Sequence, residues 1–197
     1  MSIATKTLPA LALLALLGGC VKFGSNPPPS LLTLDSAAQT PVGQVRSSGS
    51  SPTIVVDVPT VSQELAVQRV PVRATDTSIA YIKDAQWVEP PAQLFATLLG
   101  DTISARTGHV VLGSSQSAIV PGEELAGSLR DFGIDAASKE AVVTYDAALM
   151  HSSPQSVEKR RFQARVPVNT IDAADAGRAL NQAANQVATQ VADWIGK

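Results

Sequence analysis

Three consecutive segments in the C-terminal half of the chain alternate apolar and polar residues over lengths typical of long β-strands. They span 124–134, 140–150 and 157–168, and polar stretches at 135–138 and 152–155 separate them. Apolar residues roughly alternate in the first segment, at Leu125, Leu129 and Phe132, and share one parity in the other two: Val143, Tyr145, Ala147 and Leu149 in the second; Phe162, Ala164, Val166 and Val168 in the third. Because successive strand side chains point to opposite faces, this pattern predicts an antiparallel meander with one buried face. The broken spacing between Leu129 and Phe132 predicts an irregularity in the first strand.

Two helical segments can cover that face. The first spans 90–106, where Leu94, Phe95, Leu98, Leu99 and Ile103 form one apolar face. Pro90 and Pro91 suit its first turn, and Gly108 suits its C-terminal cap. The second spans 172–195 and carries this apolar stripe: Ala173, Ala176, Leu180, Ala183, Val187, Val191 and Trp194. Asp172 and Asp175 favour its N-terminus.

Shorter strands are predicted at 30–34, 53–58, 65–73, 79–82 and 109–112. Pro71 lies inside the third of these, which argues for an edge strand. A turn is expected at Lys83 and Asp84. Together the pattern predicts one α+β domain over 31–197, a mostly antiparallel sheet packed against two main helices.

The N-terminus carries a processing signal. Lys6 supplies positive charge, and Leu8 to Leu17 form an apolar run of about ten residues, which is too short to span a bilayer. Leu17, Gly18, Gly19 and Cys20 then resemble the lipobox of bacterial lipoproteins. The resemblance implies a signal peptide at 1–19 and an acylated Cys20. An ordinary secretory signal that happens to precede a cysteine is the alternative.

The residues after Cys20 form a tether over 20–30, in which Pro27, Pro28 and Pro29 favour a stiff spacer. Position 21 is valine, whereas an aspartate there retains lipoproteins in the inner membrane of enterobacteria-like hosts. The sequence therefore favours an outer-membrane anchor that faces the periplasm.

Composition excludes several function classes. The formal net charge is −2 without a basic block, so no nucleic-acid partner is expected. The chain has one cysteine and two histidines, His109 and His151, which are far apart in sequence, so no metal and no cofactor are expected. Nucleophile elbows and phosphate loops are absent from the sequence, so an enzyme is not expected.

The charge clusters Glu123–Glu124 and Lys159–Arg161 are interpreted as solvated strand ends, with an interaction patch as the alternative.

Two tryptophans are candidate anchors. Trp87 precedes the first helix and is interpreted as a core residue, with a partner surface as the alternative. Trp194 lies near the end of the second helix and carries the same two interpretations.

Local signatures then indicate a family. The lipobox, the Val-Pro ending of Ile54–Pro59 and the Gln86–Pro90 entry to a helix resemble the ABC-type transport auxiliary lipoproteins, the PqiC-like proteins. A hairpin meander and a closing Ala-rich helix complete the resemblance. The chain departs from the family in lacking Tyr-Tyr near residue 31 and in having Pro91 where leucine is usual.

The resemblance implies a non-catalytic accessory of transport systems that move lipids or other hydrophobic compounds across the envelope. It implies partners in the form of an MCE-domain protein and an ABC permease with its ATPase, beside the membrane that the acyl chains enter. A homo-oligomer is a further expectation. The alternative function is a stand-alone envelope lipoprotein that aids outer-membrane assembly or binds a small ligand.

Overall fold

The computed structural model describes residues 30–113 and 120–196, and the predicted signal peptide and most of the tether lie outside these ranges. The described chain forms one eight-stranded mixed sheet and two long helices, so the α+β prediction is confirmed. The strands are β1 (Thr53–Val56), β2 (Thr60–Val61), β3 (Arg69–Thr75), β4 (Ser78–Gln86), β5 (Val110–Leu112), β6 (Glu123–Asp135), β7 (Glu140–Ser152) and β8 (Gln155–Pro167). The helices are α1 (Pro91–Thr107) and α2 (Ala173–Ile195), and a short 3-10 helix covers Gln63–Leu65.

Strand β6 organises the sheet. On one side it pairs with antiparallel β7, which in turn pairs with antiparallel β8. On the other side it pairs with β1, β2 and β3 in succession, all parallel to it. Strands β4 and β5 extend the sheet beyond β3 and β1. The predicted irregularity is present, because the β6–β7 register shifts between Leu129 and Asp131.

The edge position expected for the strand around Pro71 is wrong, because β3 lies between β4 and β6. Only Val72 and Arg73 pair with β6, so the pairing begins after the proline that lacks an N–H. Gly133 of β6 makes room for the ring and backbone of Pro71, since a Cβ at Gly133 would lie 2.6 Å from the Pro71 carbonyl oxygen.

Two further local predictions are wrong. Residues 30–34 do not form a strand, and only Leu32 makes a parallel bridge, to Trp87. Lys83 and Asp84 do not end a strand in a turn, because β4 continues to Gln86. Between the pairs Arg69–Gln86 and Pro71–Tyr81, β4 has more residues than β3, so the register shifts there. Asp84 lies in this irregular part of β4 and adopts a φ of 59°.

Helix α1 follows its sequence signals closely. Pro91 occupies the first turn, and Gly108 ends the helix at a φ of 78°, in the left-handed region that glycine adopts without strain. The predicted face is buried, and Phe95 packs edge-on against Tyr145 and Phe132, with ring centroids 5.4 and 6.4 Å apart. Such pairs add about 0.5–1.5 kcal/mol to the energy of burial.

Asp172 is the N-cap of helix α2, and its side chain accepts the Asp175 N–H at 2.9 Å. The Asp175 carboxylate accepts the backbone N–H groups of Thr170 and Asn169, and these hydrogen bonds hold its pKa below the usual range. The helix packs on β7 and β8 and also on α1, so it buries two adjacent rows of residues rather than one stripe. Most buried positions are alanine, which allows close approach to the sheet.

Candidate functional site

The predicted lipidation site lies outside the described residues. Leu17, Gly18, Gly19 and Cys20 precede Ser30, the first residue that the structure describes. What the structure shows is how the chain enters the domain after the tether. We call residues 30–38 the entry segment.

Trp87 lies in the core beside the entry segment. Its side chain is fully buried, and its ring centroid lies 5.5 Å from that of Phe132. Its backbone N–H donates to the Gln68 carbonyl at 2.7 Å. Trp87 is therefore a packing residue at the junction of β4 and α1, and it offers no surface to a partner.

Trp194 lies at the other end of the domain. It is half-buried on α2, and its ring packs against Phe162 of β8, with centroids 5.5 Å apart. The Arg160 guanidinium lies over the Phe162 ring, 5.2 Å from its centroid. Trp194 thus closes the core where α2 ends, and β8 continues past it into solvent.

The entry segment is seated between the sheet and α2. Leu32 donates its N–H to the Gln86 carbonyl at 2.7 Å and accepts the Val88 N–H at 2.9 Å. Its side chain packs against Gly177 of α2, where a Cβ would lie 2.7 Å from the Leu32 Cδ2. The absence of a side chain at Gly177 therefore provides the seat for Leu32.

One helix side chain holds the rest of the segment. Asn185 accepts the Ala37 N–H at 2.7 Å and donates to the Asp35 carbonyl at 2.9 Å. The Ser36 hydroxyl lies 3.1 Å from that of Thr102 on α1. The entry segment is thereby bonded to both helices before the chain reaches the loop that follows.

Asn185→Ala should loosen the entry segment while leaving the core intact, because it removes two long-range hydrogen bonds from a half-buried side chain. We expect the free energy of unfolding to fall by about 1–2 kcal/mol. Hydrogen exchange at the Ala37 amide should accelerate strongly, as measured by mass spectrometry. Gln186→Ala, on the exposed neighbouring position of α2, is the control. Unchanged exchange at Ala37 would contradict the proposed seat.

Both histidines of the chain converge on one carboxylate. His109 Nε2 lies 3.2 Å from Glu123 Oε2, and His151 Nδ1 lies 3.2 Å from Glu123 Oε1. His151 Nε2 also lies 3.7 Å from Glu158. His109 is buried, and its Nδ1 lies 2.7 Å from the Thr107 hydroxyl. The cluster lies at the start of β6, with His109 just before β5 and His151 near the end of β7.

This cluster corrects the interpretation of Glu123 as a solvated strand end, because its side chain is only 20 % exposed. Among residues 30–113 and 120–196, no group of three or more His, Cys, Asp or Glu side chains has a geometry that could hold a metal ion. The cluster brings side chains from three different strand ends together, with each histidine 3.2 Å from Glu123.

The opposite face of the sheet carries ion pairs. Arg161 of β8 donates two hydrogen bonds to Asp146 of β7, at 2.5 and 2.7 Å, and these bonds hold the pKa of Asp146 below its usual range. Arg165 likewise donates to Glu140 at 3.1 Å. Two surface grooves, of about 200 and 400 Å³, lie along this face. Glu64, Arg73 and Asp131 line both grooves, the rest of the smaller groove is mostly apolar, and the larger groove is lined mostly by polar and charged residues.

Sequence reasoning missed the histidine convergence and the seat of the entry segment. Their residues lie up to about 150 positions apart, and no local spacing links them. Gly177 was the one available signal for the seat, since a glycine inside a long helix costs about 0.5–1 kcal/mol relative to alanine and needs a packing reason.

None of the helices in the described part of the chain has the length and hydrophobicity needed to cross a bilayer.

Comparison with known structures shows the fold. A crystal structure of a Xanthomonas campestris protein of the DUF330 family superposes with a TM-score of 0.71 at 22 % identity, covering 84 % of this chain and 94 % of that one. A second, uncharacterised protein superposes with a TM-score of 0.62 at 18 % identity, covering 84 % of this chain and 99 % of that one. The PelC dodecamer from Paraburkholderia phytofirmans reaches a TM-score of only 0.41 at 13 % identity, covering 72 % of this chain and 84 % of that one.

The sequence comparison identifies the family. No protein of curated function matches the chain. The family model described as the ABC-type transport auxiliary lipoprotein component matches residues 32–192. That match begins at Leu32, the residue that bridges to Trp87, and ends at Ala192 in the last turns of α2. It therefore spans nearly all of the described domain, and the chain belongs to the ABC-type transport auxiliary lipoprotein family.

Proposed function

We propose that this chain is an outer-membrane-anchored, periplasm-facing lipoprotein that serves as a non-catalytic component of an ABC/MCE-type system. That system would transport lipids or other hydrophobic compounds. The chain would link the envelope-spanning part of the system to the outer membrane. An MCE-domain protein and an ABC permease with its ATPase are the expected partners.

The family match over residues 32–192 carries this proposal, because it assigns the domain a transport-associated auxiliary role. The lipobox and the Pro-rich tether precede the matched region directly. A tether of about ten residues extends at most about 35 Å, so acylation at Cys20 would keep the domain close to the bilayer.

The seat of the entry segment supports a mechanical role for the domain. Because Leu32 is bonded to Gln86 of β4 and to Val88 just after it, and packs on α2, a pull on the tether would be transmitted to the core rather than to a loose terminus. The larger of the two grooves on the open sheet face is lined mostly by polar and charged side chains, unlike the mostly apolar pockets that usually hold small ligands. Both features favour docking over ligand binding.

The proposal can be tested by crosslinking in intact envelopes of the native host. An affinity-tagged full chain should recover an MCE-domain protein and an ABC permease, identified by mass spectrometry after detergent extraction. A chimera that joins residues 1–30 to an unrelated domain is the control, because it keeps the anchor and lacks the fold. Equal recovery with the chimera, or no recovery of either partner with the full chain, would refute the docking role.

A further inference from the structure

Strand β8 has a neighbour on one side only. In the described part of the chain it pairs along its whole length with β7, and no other strand pairs with it. Residues 155–161 are exposed at every position, because α2 ends near Phe162 and leaves both faces of this half uncovered. The result is a long sheet edge open to solvent on both faces.

The backbone groups along this edge have a defined direction. Val168 donates its N–H to the Lys139 carbonyl at 2.9 Å, which places the even-numbered positions of β8 on the side of β7. Because the β7–β8 register is regular throughout, the odd-numbered positions direct N–H and C=O groups outward. Pro167, which has no N–H, lies on an outward position, as expected for a free edge. Val157, Lys159 and Arg161 therefore present outward donors and acceptors.

The side chains of this half of the edge are predominantly basic. Lys159, Arg160 and Arg161 are accompanied by one acid, Glu158. Arg161 is engaged by Asp146 and Arg160 lies over Phe162, whereas Lys159 makes no ion pair among the described residues. A second copy of the chain pairing antiparallel about Arg160 would bring these like charges together, which is unfavourable. An acidic strand would instead find complementary charge.

We propose that the outer edge of β8 at residues 155–161 binds an extended acidic segment of a partner protein, which adds a ninth strand to the sheet. Main-chain hydrogen bonds to the outward groups would supply affinity, and Lys159 and Arg160, on opposite faces of the strand, would each select for acidic side chains on its own face. The inference rests on the proposed function only in placing the partner within the transport assembly.

The test uses the full mature lipoprotein in detergent and a fluorescent peptide of alternating glutamate and valine, with binding followed by anisotropy. A peptide of alternating lysine and valine is the charge control. We expect the acidic peptide to bind at least about tenfold more tightly than the basic one. Two versions of the acidic peptide carry methyl groups on alternate backbone nitrogens. Binding should be lost when the methylated nitrogens are those that would face β8, and kept when they are those that face away.

Two variants of the chain separate the two sources of affinity. Val157→Pro removes an outward N–H without removing charge and should weaken binding of the acidic peptide. Lys159→Glu with Arg160→Glu should weaken it and favour the basic peptide, whereas Lys83→Glu on the exposed part of β4 should leave it unchanged. Circular dichroism checks that each variant is folded.

Three results would overturn the edge proposal: equal affinity for both peptides, no effect of backbone methylation in either register, or crosslinks showing that a second copy occupies β8. Failure of the envelope crosslinking described above is a separate result. It would remove the transport partner while leaving peptide binding at β8 intact.

Discussion

Replacing Cys20 by serine should abolish incorporation of labelled palmitate and leave the mature chain in the water-soluble envelope fraction. In the proposed anchor the Cys20 thiol would accept the diacylglyceryl unit, and a serine hydroxyl would not replace it. Each acyl chain contributes about 0.8 kcal/mol per buried methylene, so the loss of all chains should shift membrane partition by at least about a hundredfold.

The measurement combines palmitate labelling, intact-mass analysis and ultracentrifugal fractionation of the cleaved form. Ser25→Ala, within the tether, leaves the lipobox unchanged and is the control. A sucrose gradient of the wild-type envelope then distinguishes inner from outer membrane. If wild-type chain carried no added mass, or if the serine variant still incorporated palmitate, the anchoring proposal would fail.

Gly127→Ala should destabilise the domain severely. A Cβ at this position of β6 would lie 2.4 Å from the Asp146 carbonyl oxygen and 2.6 Å from the Tyr145 ring. Tyr145 is fully buried and donates its hydroxyl hydrogen to the Ala126 carbonyl at 3.1 Å. Neither the Tyr145 ring nor the Asp146 carbonyl can therefore move away without disrupting the sheet or the core. We expect the free energy of unfolding to fall by about 2–3 kcal/mol.

A glycine-to-alanine substitution in helix α1 should instead stabilise the domain. Gly100 lies inside α1, and a Cβ there would make an ordinary 3.5 Å contact with Val111. Gly100→Ala should therefore raise the free energy of unfolding by about 0.5–1 kcal/mol, through helix propensity. Urea denaturation of both variants tests the pair. A Gly127→Ala chain as stable as the wild type would contradict the packing described at Tyr145.

Much of the fold was predictable because the periodicities are local. The parity of β7 and β8 selected the buried residues correctly, and the apolar face of α1 is buried as expected. The predictions failed where a long-range contact overrides a local preference. Pro71 argued for an edge strand, but Gly133, about 60 residues later, accommodates it inside the sheet.

The candidate site was less predictable for the same reason. Glu123 was interpreted as a solvated strand end from its acidic neighbour, but two histidines from other strand ends contact it. The charge cluster of β8 was interpreted from sequence as a solvated edge, with an interaction patch as the alternative, and its residues are exposed. Whether its outer edge is open depends on the order of strands, and no local pattern specifies that order.

The sequence by itself determined the spacing of apolar residues and the helix caps, because each depends on neighbours along the chain, and it predicts a processing signal at the N-terminus. The tertiary structure alone decided that three short strands share one side of β6, that Asn185 and Gly177 hold the entry segment, and that β8 ends the sheet. The physical reason is that strand pairing and side-chain packing depend on which distant segments bury their apolar faces together, and many arrangements are compatible with the same local pattern.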